Sequence, residues 1–237
     1  MPPFYVWAQK SIIEYMQDKG HTIIMLGRPG SGKGTQAARI AKTFEAKAFG
    51  TGEMLRRLAR EKTFLGRKVA QLLASGKLVP SWLASYAWIT ELGRAKPEDT
   101  IIFDGSPRTL GEAKLLEEVL RWYGRTSQQA FVIQISPSES LRRLRARRIC
   151  IDCRHPASPR SKKNTSEVCR LCGGKLVRRG DDSPAVIRRR LSIFEHDVVP
   201  IVKYFRHKGI LNIIDGSSKE DVVFSNIKEV LARKRFI

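Results

Sequence analysis

The chain has 237 residues, of which 42 % are apolar, so it can bury a substantial core, either as one larger domain or as a core with a small inserted module. Its 44 basic and 23 acidic residues leave a formal net charge of +21, which directs attention to anionic partners: nucleotides, nucleic acid or an acidic surface. No apolar run approaches the roughly eighteen residues that span a membrane, and "MPPFYVWAQK" lacks the basic start and long apolar stretch of an export signal, so a cytoplasmic protein is expected.

The first twenty residues read as an added arm. Ile12, Ile13 and Met16 fall at helical spacing, Gly20 stops the run, and Phe4, Tyr5 and Trp7 are candidate anchors against the body. "HTIIMLG" follows as a short buried strand that ends in a glycine-rich loop, and "TQAARIAKTF" continues as a helix with Ala37, Ile40, Ala41 and Phe44 on one face. "KAFG" is a weaker strand, and residues 51 to 80 read as wholly helical. "TIIFDG", "QAFVIQIS" and "ILNIIDG" are further strands with helical segments between them. This alternation predicts an α/β fold: a mostly parallel five-stranded sheet between two layers of helices, with ligands at the carboxyl ends of the strands. Gly27, Asp104 and Asp215 would lie at that edge.

The loop "GRPGSGKG", Gly27 to Gly34, stands directly between a strand and a helix. Its glycines let backbone N–H groups converge on phosphate, Lys33 adds a point charge, and the helix start adds its positive end. Gly30, Ser31, Gly32, Lys33, Gly34 and Thr35 are therefore the candidate ligands of a nucleotide's phosphates. The usual motif has Ser or Thr after the lysine, whereas here Gly34 intervenes and the hydroxyl for a magnesium ion falls to Thr35.

Of the basic excess, the stretch from Arg142 to Arg190 carries 16 basic and 4 acidic residues, and all four cysteines fall inside it. Cys150 and Cys153 form one two-residue-spaced pair and Cys169 and Cys172 another, which in a chain without export signals reads as a tetrahedral four-thiolate metal site. Zinc suits it, with iron as the main rival. Four sulfurs complete the shell without His155, leave no open position for water, and make the metal a staple for a polar flap.

"GxPGSGKGTQ", "TGEMLRR", "SGKLVP", "DGSPR", "LRRLRARR", "VRRGDD" and "IRRRL" together resemble the adenylate kinases and their nucleoside-monophosphate kinase relatives, from about residue 22 to 230. The cysteine module matches their long-lid form. The resemblance implies a P-loop core at 21–50, 81–148 and 180–237, a monophosphate-binding insertion at 51–80, a four-cysteine lid at 149–179, and the arm at 1–20. It implies transfer of the terminal phosphate of magnesium-ATP to AMP, giving two ADP, with structural zinc in the lid. Lys33, Asp104, Arg108, Arg147, Arg179 and Arg190 would be the catalytic groups. Arg56 and Arg108 would hold the acceptor phosphate, Thr51 and the backbone from Lys77 to Val79 its base, and Gly105 would lie beneath it. Arg143 would lie over the donor adenine, Arg147, Arg179 and Arg190 would surround the transferring phosphates, and Asp181 and Asp182 would tie the lid to its hinge.

Two positions depart from the family pattern. Ser106 replaces an aromatic, so apolar backing is expected from Trp82, Tyr86 or Trp88. Glu112 replaces a glutamine, and an ionised carboxylate only accepts hydrogen bonds, which suits the N–H and amino donors of guanine better than adenine. AMP is the expected acceptor, with GMP, and then CMP or UMP, as alternatives. A zinc-knuckle protein that binds nucleic acid and uses ATP as a switch is the rival of a different class. Arg142, Arg145, Arg148, Arg160, Lys162 and Lys163 have no matched role and read mainly as solvated surface. A monomer is expected.

Overall fold

The computed structural model describes residues 20–153, 156–157, 168–179 and 182–234. The arm, apart from Gly20, lies outside the described residues, as do Asp181, His155, Arg160, Lys162 and Lys163. In chain order the strands are β1 Thr22–Gly27, β2 Lys47–Gly50, β3 Ile101–Asp104, β4 Gln128–Gln134, β5 Arg148–Cys150, β6 Pro156–Ala157, β7 Leu176–Arg178 and β8 Leu211–Asp215. The main sheet runs β2-β3-β1-β4-β8 with every neighbouring pair parallel. The five strands expected from the apolar runs are all present.

Successive side chains of a strand point to opposite faces, and here both faces are buried. Ile24 and Leu26 of β1, Ile101 and Phe103 of β3, and Ala130 and Val132 of β4 join one apolar cluster. Their alternates Ile23, Met25, Ile102, Phe131 and Ile133 join the other. The first is covered by α4 (Ser81–Leu92), α5 (Leu110–Trp122) and α8 (Val199–His207), through residues such as Trp88, Leu116 and Ile201. The second is covered by α1 (Lys33–Thr43) and α9 (Glu220–Arg233), through Ile40 and Ile227. Strand carboxyl ends therefore open onto an edge that neither helical layer covers.

The segment 51–80 is helical only in part. It folds as α2 (Thr51–Leu58) and α3 (Phe64–Ala74), separated by a turn and followed by an irregular stretch to Pro80. Thr63 caps α3 by accepting the Gly66 N–H at 2.9 Å, and beyond the helix the chain turns at Gly76, whose φ of +69° favours glycine. Leu55, Val69 and Val79 of this insertion form an apolar cluster with Leu83 and Ala84 of α4. Of the three aromatics considered as backing for Ser106, Trp82 and Tyr86 are exposed, while Trp88 is buried edge-on against Phe103 with centroids 5.7 Å apart.

Between α6 (Pro137–Ala146) and α7 (Pro184–Ile193), the short strands form a separate antiparallel sheet, β6-β5-β7. A π-helical turn, Phe194–Val198, joins α7 to α8. At the opposite edge of the main sheet the buried Arg125 donates to the carbonyls of Pro97 (3.0 Å), His21 (3.3 Å) and Asp99, and to Thr22 Oγ1 (3.3 Å). One guanidinium thereby fixes the entry to β1 and the loop before β3. Among the described residues no helix is long and apolar enough to cross a membrane.

Candidate active site

The loop after β1 wraps the start of α1. Gly32 takes the N-cap position at φ +95°, a left-handed conformation that glycine adopts without strain, and the Gln36 N–H reaches its carbonyl at 3.0 Å. The Ser31 hydroxyl is buried without a hydrogen-bond partner. The glycine at position 34 has a physical reason: a Cβ there would sit 2.9 Å from Oδ2 of Asp104, at the end of the neighbouring strand β3. The space that a Ser or Thr side chain would take is filled by a carboxylate. Oδ1 of the same group is buried and unpartnered.

Lys33 stands amid these groups. Burial brings its ammonium down to about 8, opposed by the Asp104 charge and reinforced by Arg108, Arg190 and Arg147. Three arginines from distant parts of the chain thus act on one lysine. An anion placed among them reverses the argument, since it favours the charged form of every one.

On the β3 side, Arg108 donates through Nε to the Gly105 carbonyl at 2.8 Å. Its Nη2 lies 3.9 Å from the point where a Cβ on Gly52 would be, and Nη1 of Arg56 lies 3.3 Å from that point. Two guanidiniums therefore face one small space, backed by glycines. Arg56 is oriented by Glu53, with Nε to Oε2 at 3.1 Å. The Thr51 hydroxyl at the start of α2 is buried without a partner. Lys77 lines the same cleft, whereas the Val79 side chain turns into the cluster of the insertion. Glu112 is buried at 3 % exposure and does not line the cleft; its Oε2 accepts the backbone N–H of Arg108 at 2.7 Å.

On the lid side, Asp182 is the organising group. Its carboxylate takes a two-pronged pair from Arg147 (Nε 2.7 Å, Nη2 2.6 Å) and a third bond from Arg190 Nη1 at 2.8 Å. Arg143 lies against the phosphate loop, with Nη1 3.5 Å from the Ser31 carbonyl and Nη2 2.8 Å from the Gly216 carbonyl. It is steered by Glu139, whose carboxyl the Arg142 and Arg143 guanidiniums hold at about 2.

The cleft encloses about 840 Å³, its open mouth included, and is lined by Lys33, Arg56, Arg108, Arg179 and Arg190. Sequence reasoning missed its apolar wall, where Ile193, Phe194 and Val198 approach from the π-helical turn. π-turns interrupt helices preferentially at functional sites, but "FEHDV" carries no local signal for one. Arg28 was also missed: it links the phosphate loop to this turn by ion-pairing with Glu195 at 2.7 Å and lying over the Phe194 ring at 5.0 Å.

The four cysteine sulfurs lie within 4.8 Å of one another, with Cys150 to Cys172 at 3.4 Å and Cys153 to Cys169 at 3.6 Å. A tetrahedral zinc with Zn–S bonds of about 2.3 Å requires sulfurs roughly 3.8 Å apart, so this donor set fits one structural ion. Backbone N–H groups of Leu171 and then Cys172 hold the Cys169 thiol down at about 7, toward the thiolate a metal needs. Gly174 closes the knuckle, because a Cβ there would lie 2.8 Å from the Cys150 sulfur.

Fold and site together define a P-loop nucleotide-binding protein built for phosphoryl transfer, with a basic flap beside the cleft whose four cysteines fit one metal ion. Residues 25–210 match the family model described as adenylate kinase. The adenylate kinase of Clostridium tetani (strain Massachusetts / E88) is 35 % identical over 212 residues, covering 88 % of this chain and 97 % of its own. That of Bacillus licheniformis is 34 % identical over 213 residues, at 88 % and 97 %, and that of Lachnospira eligens 33 % over 212, at 88 % and 99 %. The chain belongs to the adenylate kinase family.

Proposed function

We propose that the protein transfers the terminal phosphoryl group of magnesium-ATP to AMP, reversibly, giving two ADP. The observation that carries this reading is one cleft lined by Lys33, Arg56, Arg108, Arg179 and Arg190, at the carboxyl ends of the adjacent strands β1 and β3. Family membership supports the same substrates. Phosphoryl transfer needs donor and acceptor held in line, their charge neutralised and water kept out; it needs no strong general base.

In this reading Gly30 to Thr35 and Lys33 hold the donor phosphates, and Arg143 lies along the donor nucleoside. Arg56 and Arg108 grip the acceptor phosphate in the space beside Gly52 and Gly105, and the Thr51 hydroxyl and the backbone from Lys77 to Val79 meet its base. Arg147, Arg179 and Arg190 flank the group in transit, with Asp182 keeping two of them side by side. Magnesium entering with ATP would add positive charge to the phosphate chain, and the unpartnered Oδ1 of Asp104, with Thr35, would hold its waters. The segments 51–80 and 149–179 act as the two moving covers over a core of 21–50, 81–148 and 180–237. All the named groups belong to one chain, so a monomer suffices.

The test is the rate of ADP formation from magnesium-ATP with AMP, GMP, CMP or UMP, against a control without acceptor. Preference for AMP is expected. Preference for GMP would replace the acceptor, and transfer to none of the four would overturn the reading.

A further inference from the structure

We infer that Glu112 is a positioning residue for the acceptor phosphate, acting through Arg108, and not a reader of the acceptor base. This rests on the function proposed above and deepens it. The sequence Thr109-Leu110-Gly111-Glu112 has the form of a helix capping box, in which the first side chain takes the N–H of the fourth residue and the fourth reaches back. The first half is present: Thr109 is the N-cap of α5 and its Oγ1 accepts the Glu112 N–H at 3.2 Å. The second half is displaced by one residue. Glu112 Oε2 accepts the N–H of Arg108, at 2.7 Å, in place of the N–H of the N-cap itself.

That displacement lands the bond on the arginine that faces the acceptor space. Arg108 is then held at both ends, its backbone by Glu112 and its Nε by the Gly105 carbonyl at 2.8 Å. Nη2 is directed toward the Gly52 and Gly105 backbones, where Arg56 also points. A free arginine side chain samples many rotamers, and fixing both ends lowers the cost of ordering it before a ligand arrives. Glu112 itself is buried at 3 % exposure and outside the cleft lining, so a base bound there meets other groups. The acid that follows the arginine by one helical turn thus supports it from behind.

The distinguishing probe is ribose 5-phosphate, which offers the acceptor phosphate without a base. Dissociation constants for AMP and ribose 5-phosphate are measured calorimetrically on the metal-loaded protein, for wild type, Glu112→Ala, Glu112→Gln, Arg108→Ala and the Arg108→Ala/Glu112→Ala pair. Loss of this part-buried bond from the Arg108 N–H should weaken both ligands by one common factor, roughly tenfold, in Glu112→Ala. The same loss should vanish in the Arg108→Ala background, because the effect travels through that side chain. Glu112→Gln keeps a carbonyl for the Arg108 N–H and should leave both constants within about twofold of wild type. AMP weakened while ribose 5-phosphate is untouched, in either variant, would make Glu112 a base reader and overturn the inference, as would no effect on either ligand in Glu112→Ala. If Glu112→Ala does not fold, Glu112→Gln decides alone, a selective change in AMP counting against and parallel constants for. Failure of the wild type to phosphorylate AMP would sink the proposed reaction but not this comparison, which reads binding alone.

Discussion

Lys33 is the residue on which the electrostatics of the site meet. Its ammonium is brought down to about 8 by burial and by Arg108, Arg190 and Arg147, with only Asp104 opposing. A phosphate chain stabilises the charged form, so nucleotide binding raises this value. Below it Lys33 is already charged and binding takes up little; above it, binding must draw a proton from solution and the apparent affinity falls as pH rises. Calorimetry of ATP in buffers of different ionisation enthalpy should show proton uptake that is small near pH ~7 and grows toward one proton near pH ~9. A proton count that stays flat across that range, or one that persists in Lys33→Met, would assign the linkage elsewhere. Asp182 makes a second claim at this scale. Removing its charge with Asp182→Asn takes from Arg147 and Arg190 the carboxylate they share, and kcat/KM should fall by roughly a hundredfold. Steady-state kinetics on a variant verified as folded checks it, and an unchanged value would confine Asp182 to a structural part.

Among the elements, the short-range signals were legible and the long-range ones were not. Strand, glycine loop and helix around "GRPGSGKG" lie within one stretch of chain, and so do the two cysteine pairs, so their chemistry shows in the spacing. The break between α2 and α3 was missed because Arg60-Glu61-Lys62-Thr63 contains no glycine or proline to mark a stop, while the cap that restarts the helix is one Thr63 hydroxyl. The wall made by Phe194 and Val198 depends on a π-helical turn folding back over the cleft, and the place of Glu112 depends on which N–H its carboxyl reaches. Neither is written in residue type. Arg125 is a further example, since nothing around it in sequence foretells a buried guanidinium serving three carbonyls from two other segments. Arg125→Met fills the volume yet strips those carbonyls of a donor, and should lower stability by about 2–4 kcal/mol. Urea unfolding measures this, and because the site lies at the far edge of the sheet, kcat of the folded variant should hold. A loss under about 0.5 kcal/mol would mean that water replaces the clamp.

For the whole molecule, the contrast between body and flap governs stability. The main sheet has an apolar cluster on each face, whereas between 149 and 179 the only buried apolar side chains among the described residues are Cys150 and Cys169. Ile151, Val168 and Leu171 are exposed there. Strands of two or three residues cannot stand without a core, and an ion held by the four sulfurs would supply it. Stripping the metal with a chelator, or Cys153→Ser, should lower the melting temperature and abolish transfer while the circular dichroism of the helical body persists. Full activity in metal-free protein would refute the staple.

The strand order carries a consequence for substrate choice. The loops bearing Lys33 and Arg108 follow β1 and β3, which are immediate neighbours in the sheet. Hydrogen-bonded strands stand about 4.8 Å apart, a spacing set by the peptide group that no motion of the covers can alter. In the proposed reaction the sheet would act as a ruler ruled in backbone, against which the donor's last phosphorus and the acceptor's are set. The two covers would seal the cleft in that reaction, and the length of the phosphate chain that fits would be set beneath them.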